Sequence, residues 1–190
     1  MGAEGLSPVA NPSEIFLAER PEDTTGSVIV ASMEGSRPLL VEVQALVSSS
    51  SSIGMPRRMA TGLDPNRMAL LVAIMEKRLG LSLQGEDIFV NLAGGIKVTE
   101  PAMDLAIATA MASSFQSRPV DPSTVMIGEV GLTGEVRSVV QLEPRLIESS
   151  KLGFRRAVVP CSAKKSKFLK QSGMEIVFAK NLSEALEMVL

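Results

Sequence analysis

Glu86-Asp87-Ile88-Phe89-Val90-Asn91-Leu92-Ala93-Gly94-Gly95-Ile96-Lys97-Val98-Thr99-Glu100-Pro101-Ala102, running on through MDLAIATAMA to Ala112, decides the fold class. Residues 86–92 alternate in the manner of a strand, and Ala93-Gly94-Gly95 punctuates it with two residues able to take positive φ. Pro101 suits the first turn of a helix, with Thr99 as the expected N-cap. From Ala102 to Ala112 almost every residue is small or apolar. A helix apolar nearly all round belongs in the interior, so a strand, a tight turn and a buried helix follow in succession. Glu100 and Asp104 stand four apart at its start, where capping and solubility, favoured by the positive end of the helix dipole, account for the pair at least as well as acid–base work does.

The pattern extends outward on both sides. Ser27–Met33 and Leu39–Val47 are β-branched and partly alternating, and the polar link between them predicts a hairpin. A serine run, Ser48 to Ser52, leads through Gly54-Met55-Pro56 to Arg57 and Arg58 and reads as a flexible loop. Asp64-Pro65 opens a helix whose Met68, Leu71, Val72, Met75 and Leu79 recur at helical spacing until Gly80 stops it. Beyond the buried helix, Val125–Val130 and Val136 predict short strands around Gly131 and Gly134. A helix over Gln141–Leu152 ends at Gly153, and short strands fall at Ala157–Pro160 and Ile176–Ala179. Asn181 and Glu184 at capping-box spacing open a last helix over Ala185–Leu190. Strands and helices mix without strict alternation, which predicts α+β or a mixed-sheet α/β fold over residues 26–190. Residues 1–25, rich in Pro, Gly and acids, read as a linker or peripheral arm.

Composition limits the chemistry. The 190 residues contain no His, Trp or Tyr and one cysteine, Cys161. That excludes Ser-His-Asp and Cys-His catalysis, His-ligated zinc and any intrachain disulfide, and leaves Ser or Thr with Lys, a carboxylate, or a metal held by oxygens. Gly94-Gly95-Ile96-Lys97 matches neither nucleotide-binding glycine pattern, so it reads as a tight turn and not as a phosphate loop. No metal site and no cofactor are expected in this chain. The methionines read as core filling, as do most of the six phenylalanines, and Cys161 reads as a small apolar residue.

Charge is distributed unevenly under a net value of -2. Residues 1–36 carry six acids against Arg20 alone, whereas residues 151–170 carry seven bases and no acid. A second basic group comprises Arg57, Arg58 and Arg67, followed by Lys77 and Arg78. Such clusters are the footprint of anion binding, with solvated surface or ion pairing as the alternative. Arg57, Arg58, Arg67, Arg155 and Arg156 are the residues expected to contact DNA phosphates, electrostatically and without much base stacking. No apolar run is long enough for a membrane span.

The blocks LVEVQALV, PRRMATGLDPNR, GGIKVTEPAMDLAIATAMASS and IGEVGLTGEVR, in this order, resemble the proteolytic domain of Lon proteases. They are more similar still to the Lon-like C-terminal domain of bacterial-type RadA (Sms) DNA repair proteins. The resemblance implies a ribosomal-protein-S5-like α+β fold, that of the Lon proteolytic domain. It places the nucleophilic serine of a Ser-Lys dyad at Ala102 and the lysine at Glu143, so neither reactive group is present. Thr99 and Lys97 stand nearby on a cap and a turn. It further implies a homo-hexameric ring that binds single-stranded or branched DNA and supports branch migration, with a RecA-type recombinase as a further partner. The zinc finger and the RecA-type ATPase, with their Zn, ATP and Mg, lie upstream in such proteins and outside this chain. A cytoplasmic protein of the bacterial nucleoid, or an organellar one in a eukaryote, is implied. A purely structural assembly module and a residual Ser/Lys or Thr/Lys peptidase are the alternatives.

Overall fold

A computed structural model describes residues 13, 17, 23–50, 55–166, 169 and 172–190. Most of the arm expected over residues 1–25, and residues 51–54 of the serine loop, lie outside the described residues. Ser48 and Ser49 lie inside a strand instead, because β2 runs on to pair with the start of β4.

The elements are β1 (Ser27–Glu34), β2 (Arg37–Ser49), β3 (Arg58–Thr61), α1 (Pro65–Leu79), β4 (Glu86–Leu92), α2 (Asp104–Gln116), β5 (Thr124–Met126), β6 (Glu129–Val130), β7 (Val136–Arg137), α3 (Leu142–Lys151), β8 (Arg156–Pro160), β9 (Glu175–Ala179) and α4 (Leu182–Glu187). Seven strands form one sheet in the order β3-β4-β2-β1-β5-β8-β9, and β6 and β7 form a separate ribbon. Only β2 opposes its neighbours; every other pairing in the sheet is parallel. This is the mixed-sheet α/β architecture expected of the sequence.

Period-two alternation explains the layering. In β1, Val28 and Val30 join a core with α1, α2 and α4, while Ile29 and Ala31 join a second core with Leu142 and Leu146 of α3. Helices therefore cover both faces of the middle strands. The hairpin turn sits at Gly35, whose φ of 60° suits glycine. α1 begins and ends as expected: Asp64 accepts from the Asn66 amide at 2.9 Å, and Gly80 closes the helix in the left-handed conformation.

Three local expectations need correction. Thr99 is exposed and caps nothing, because the chain stays extended to Glu100 and enters α2 through a 3-10 turn, Pro101–Met103. The last helix starts three residues early, at Leu182, since Asn181 accepts directly from the Glu184 amide; it ends at Glu187. Met55 and Met59 are exposed rather than core; Phe115, Phe154 and Phe178 are partly buried against the cores as expected, but Phe89 joins neither. In β4 it is Ile88 and Val90 that point inward, which turns Phe89 outward.

Candidate functional site

The N-terminus of α2 meets the β6–β7 ribbon through backbone bonds. Gly128 donates to the Ala102 carbonyl and accepts from the Leu105 amide, each at 3.0 Å. A Cβ on Gly128 would lie 2.7 Å from Val136 Cγ1, so only glycine permits this approach. Ala102, buried, thereby lines a cleft of about 260 Å³ with Glu100, Pro101, Glu129, Ser138, Val139, Val140 and Arg145.

Arg145 dominates that cleft. Its side chain is wholly buried and paired with Glu100, through Nη1 to Oε1 at 2.5 Å and Nη2 to Oε2 at 2.8 Å. The same guanidinium donates to the carbonyls of Ala31 at 2.6 Å and Val140 at 3.1 Å. Glu100 Oε1 also accepts from the Met33 amide at 3.1 Å. One ion pair thus ties β1, α3, the segment before α2 and residue 140 together. Glu143 is exposed on the first turn of α3 and does not line the cleft. Two residues on, Arg145 shares a face with Leu142, Leu146 and Ser149, and so turns inward.

A second pair lies beside it. Arg67 of α1 donates through Nε and Nη2 to the Asp104 carboxylate, which is fully buried and also accepts from the Val130 amide at 3.0 Å. Burial pushes the Asp104 carboxyl above the usual carboxylate range, while the hydrogen bonds from Arg67 and Val130 pull the other way. Glu100 and Asp104 are therefore not solvated capping charges; each holds one arginine. Thr99 lines the neighbouring cavity of about 250 Å³ with Arg67 and Asp104, but Lys97 does not.

The ribbon turn carries its own network. Glu135 accepts from the Thr133 hydroxyl at 2.5 Å and the Thr133 amide at 3.1 Å, and pairs with Arg137 at 2.5 Å. These bonds, led by that of the hydroxyl, hold its carboxyl down at about 2.

The basic residues separate into two classes. Arg57 and Arg58 at the start of β3 are exposed, as is Arg155 before β8. Arg67 is committed to Asp104. Arg156, half-buried, donates to the Met188 carbonyl at 3.1 Å and lies 3.7 Å from Glu175. Because β3 and β8 run in the same direction, the exposed arginines share one end of the sheet. Five strand steps separate them, about 24 Å at the usual spacing. The cleft occupies the opposite end, beyond the carboxyl ends of β1 and β5. Gly94 and Gly95 take φ of 81° and 67° in a 3-10 turn, the tight turn expected there. Among the described residues no group of three or more His, Cys, Asp or Glu converges to hold a metal ion, and no helix is long and apolar enough to cross a membrane.

Sequence reasoning passed over Arg145. The signal was available: Leu142, Arg145, Leu146 and Ser149 fall at i, i+3, i+4 and i+7, so Arg145 takes an inward position on an otherwise apolar face.

The family described as "Subunit ChlI of Mg-chelatase" matches residues 47–163, more than half of the chain. The chain belongs to that family. Within it, this ChlI-family chain is 54% identical over 186 residues to DNA repair protein RadA of Bacillus subtilis, covering 98% of this chain and 40% of that protein. It is 50% identical over 190 residues to DNA repair protein RadA of Halalkalibacterium halodurans, covering 100% and 41%. Against DNA repair protein RadA of Listeria monocytogenes the figure is 47% over 186 residues, covering 98% and 40%. The chain spans about 40% of the length of these curated relatives. The kinship with RadA-type repair proteins inferred from the sequence blocks is borne out.

Proposed function

We propose that this ChlI-family domain serves a RadA-type repair and recombination protein as a non-proteolytic Lon-like module, acting as a hexamer-assembly scaffold and a DNA-binding surface. The observation that carries the first part is the cleft at Ala102. A methyl group stands at the position matched to the nucleophile. The cation that lines the same cleft is Arg145, whose guanidinium carries donors only and offers no lone pair to take a proton from a hydroxyl. Its four acceptors, two oxygens of Glu100 and two carbonyls, make it a latch rather than a base.

The second part rests on the exposed Arg57, Arg58 and Arg155 at one end of the sheet. Phosphate contacts there supply affinity without sequence preference. In this reading Arg67 and Arg156 support the fold through their ion pairs. ATP hydrolysis with Mg, zinc binding and the motor for branch migration belong to parts of the full-length protein outside this chain. The partners are single-stranded or branched DNA, further copies in a ring and a RecA-type recombinase, in the cytoplasm.

A salt titration of DNA binding tests the reading. Wild type should bind at low salt, and Arg57→Ala with Arg58→Ala should weaken binding and flatten the slope of log K against log salt by about 1.8 for duplex DNA. An unchanged slope would remove these arginines from the interface. The structural-module alternative is favoured by the internal pairing of Arg67 and Arg156, and absence of DNA binding at low salt would select it. Cleavage of an unfolded protein by material free of contaminating protease would overturn the non-proteolytic reading.

A further inference from the structure

One half of the sheet is covered on a single face. Toward α1 and α2, β2, β4 and β3 present Val43, Ile88 and Val90 with Ala45, Val47 and Ala60 packed beside them. On the opposite face α3 packs near Leu40, and among the described residues nothing covers the far half of β2 with β4 and β3. Strand register aligns Leu46, Phe89 and Met59 in one row across this open face. Leu46 is 59% and Met59 58% exposed, and Met55, just before β3, is 91% exposed. One row away lie Gln44, Asn91 and Thr61, with Asn91 donating to the Gln44 carbonyl oxygen at 3.3 Å. The row on the other side holds Ser48 and Asp87, bordered by Arg57, whose amide donates to Asp87 Oδ1 at 2.7 Å.

The charges on this border balance. Arg57 is exposed and its guanidinium forms no ion pair among the described residues, and Asp87 stands on the adjacent strand as a half-buried carboxylate; Arg58 and Glu86 share the parity of Ile88 and belong to the other face. An isolated polyanion such as DNA meets a negative charge here along with the positive one. A stripe of Leu, Met and Phe edged by charges of both signs has a different complement, namely itself. Met, Arg and aromatic residues are also the types enriched at the centres of protein interfaces. We propose that this open face is a two-fold contact between two copies of the chain. Leu46, Phe89 and Met59 of each copy pack on the same row of the other, and Arg57, which borders that row, faces Asp87 of the second copy. The contact is isologous, distinct from the head-to-tail contact a ring requires. It goes beyond the DNA reading and draws on the same Arg57, so pairing and strand binding exclude one another at this residue.

Sedimentation of the 190-residue chain at low salt over a range of concentrations tests it. Wild type should show a monomer–dimer equilibrium. Leu46→Asp with Met59→Asp, both exposed positions, should raise the dimer Kd at least tenfold with an unchanged circular dichroism spectrum and undiminished DNA affinity. The charge reversals Arg57→Glu and Asp87→Arg should each weaken the dimer, and an equimolar mixture of the two should recover dimers. Monomers at every wild-type concentration, a six-fold mass lost with these variants, or failure of the mixture to pair would overturn the proposal. Weaker DNA binding by Leu46→Asp with Met59→Asp at unchanged mass would also overturn it, by making the face a nucleic-acid surface. If Arg57→Ala with Arg58→Ala weakens DNA binding but leaves the dimer intact, the DNA reading survives and this one fails.

Discussion

The two ends of the sheet use the same side chain in opposite ways. At the cleft end Arg145 is enclosed, with a single carboxylate and two carbonyls taking its donors, and Arg67 is tied to the buried Asp104. At the other end Arg57, Arg58 and Arg155 reach into solvent. An enclosed guanidinium fixes geometry, because four donated bonds in known directions leave it no freedom. An exposed one fixes nothing locally and remains available to a ligand, with its effect screened by salt. Arginine count and net charge are blind to this difference; burial decides it.

The sharpest way to break the comparison is to remove the latch. Arg145→Ala leaves Glu100 half-buried with its main partner gone and orphans two carbonyls, a loss of about 3–5 kcal/mol. Thermal unfolding should show a fall in Tm of many degrees. The double variant Arg145→Met, Glu100→Gln should recover much of this, because no uncompensated charge is left. Arg57→Ala, by contrast, should leave the unfolding free energy within about 0.5 kcal/mol of wild type. Equal destabilisation at the two ends would show that exposure does not separate the arginines.

Arg67→Ala should cost less, about 1.5–3 kcal/mol, since Arg67 is partly exposed and the Val130 amide still serves Asp104. Its sign with pH is distinctive. A carboxyl whose folded pKa lies above its unfolded value takes up a proton on folding, so acidification favours the folded state through that group. Without Arg67 the Asp104 carboxyl rises further. The deficit of Arg67→Ala should therefore be largest near neutral pH and shrink as pH falls through the carboxylate range. Urea titrations of both proteins from pH 7 to pH 4 would check this, and a deficit constant with pH would mean Asp104 is already neutral in the wild type.

What was legible in the sequence follows the range of the forces involved. Asp64-Pro65 with Gly80 and Asn181 with Glu184 are local devices acting within one turn, and both were read as caps. The Gly94-Gly95 turn was legible because positive φ belongs to the residue itself. Partners across the fold were not. Glu100 and Arg145 are 45 positions apart, Arg67 and Asp104 37 apart, and nothing local distinguishes a solvated carboxylate from one that will be buried. The outward turn of Phe89 was hidden for a related reason: alternation along β4 says which residues share a face, but only the sheet order says that α3 leaves that face uncovered. Ala102 and Glu143 could be placed by resemblance, yet Arg145 as the group filling the cleft could not.

The ribbon turn offers the mildest test, intermediate between the two ends. Glu135 is neither enclosed nor free: Thr133 and Arg137 hold its carboxyl down at about 2, while solvent reaches it. A carboxyl depressed on folding supports the folded turn above its unfolded pKa, and that support is lost as pH falls through the folded one. The window therefore runs from the ordinary value of 4.5 down to about 2. Amide exchange at Thr133, whose N–H donates to Glu135 Oε2, should speed up relative to the intrinsic rate across that window, while Val130 should hold better because its acceptor, Asp104, is buried. Glu135→Gln should remove the pH dependence at Thr133 and leave the Arg145 latch untouched. If the two amides respond alike, the ribbon and the cleft behave as one cooperative unit, and the distinction drawn here between enclosed and exposed charge stops at the sheet.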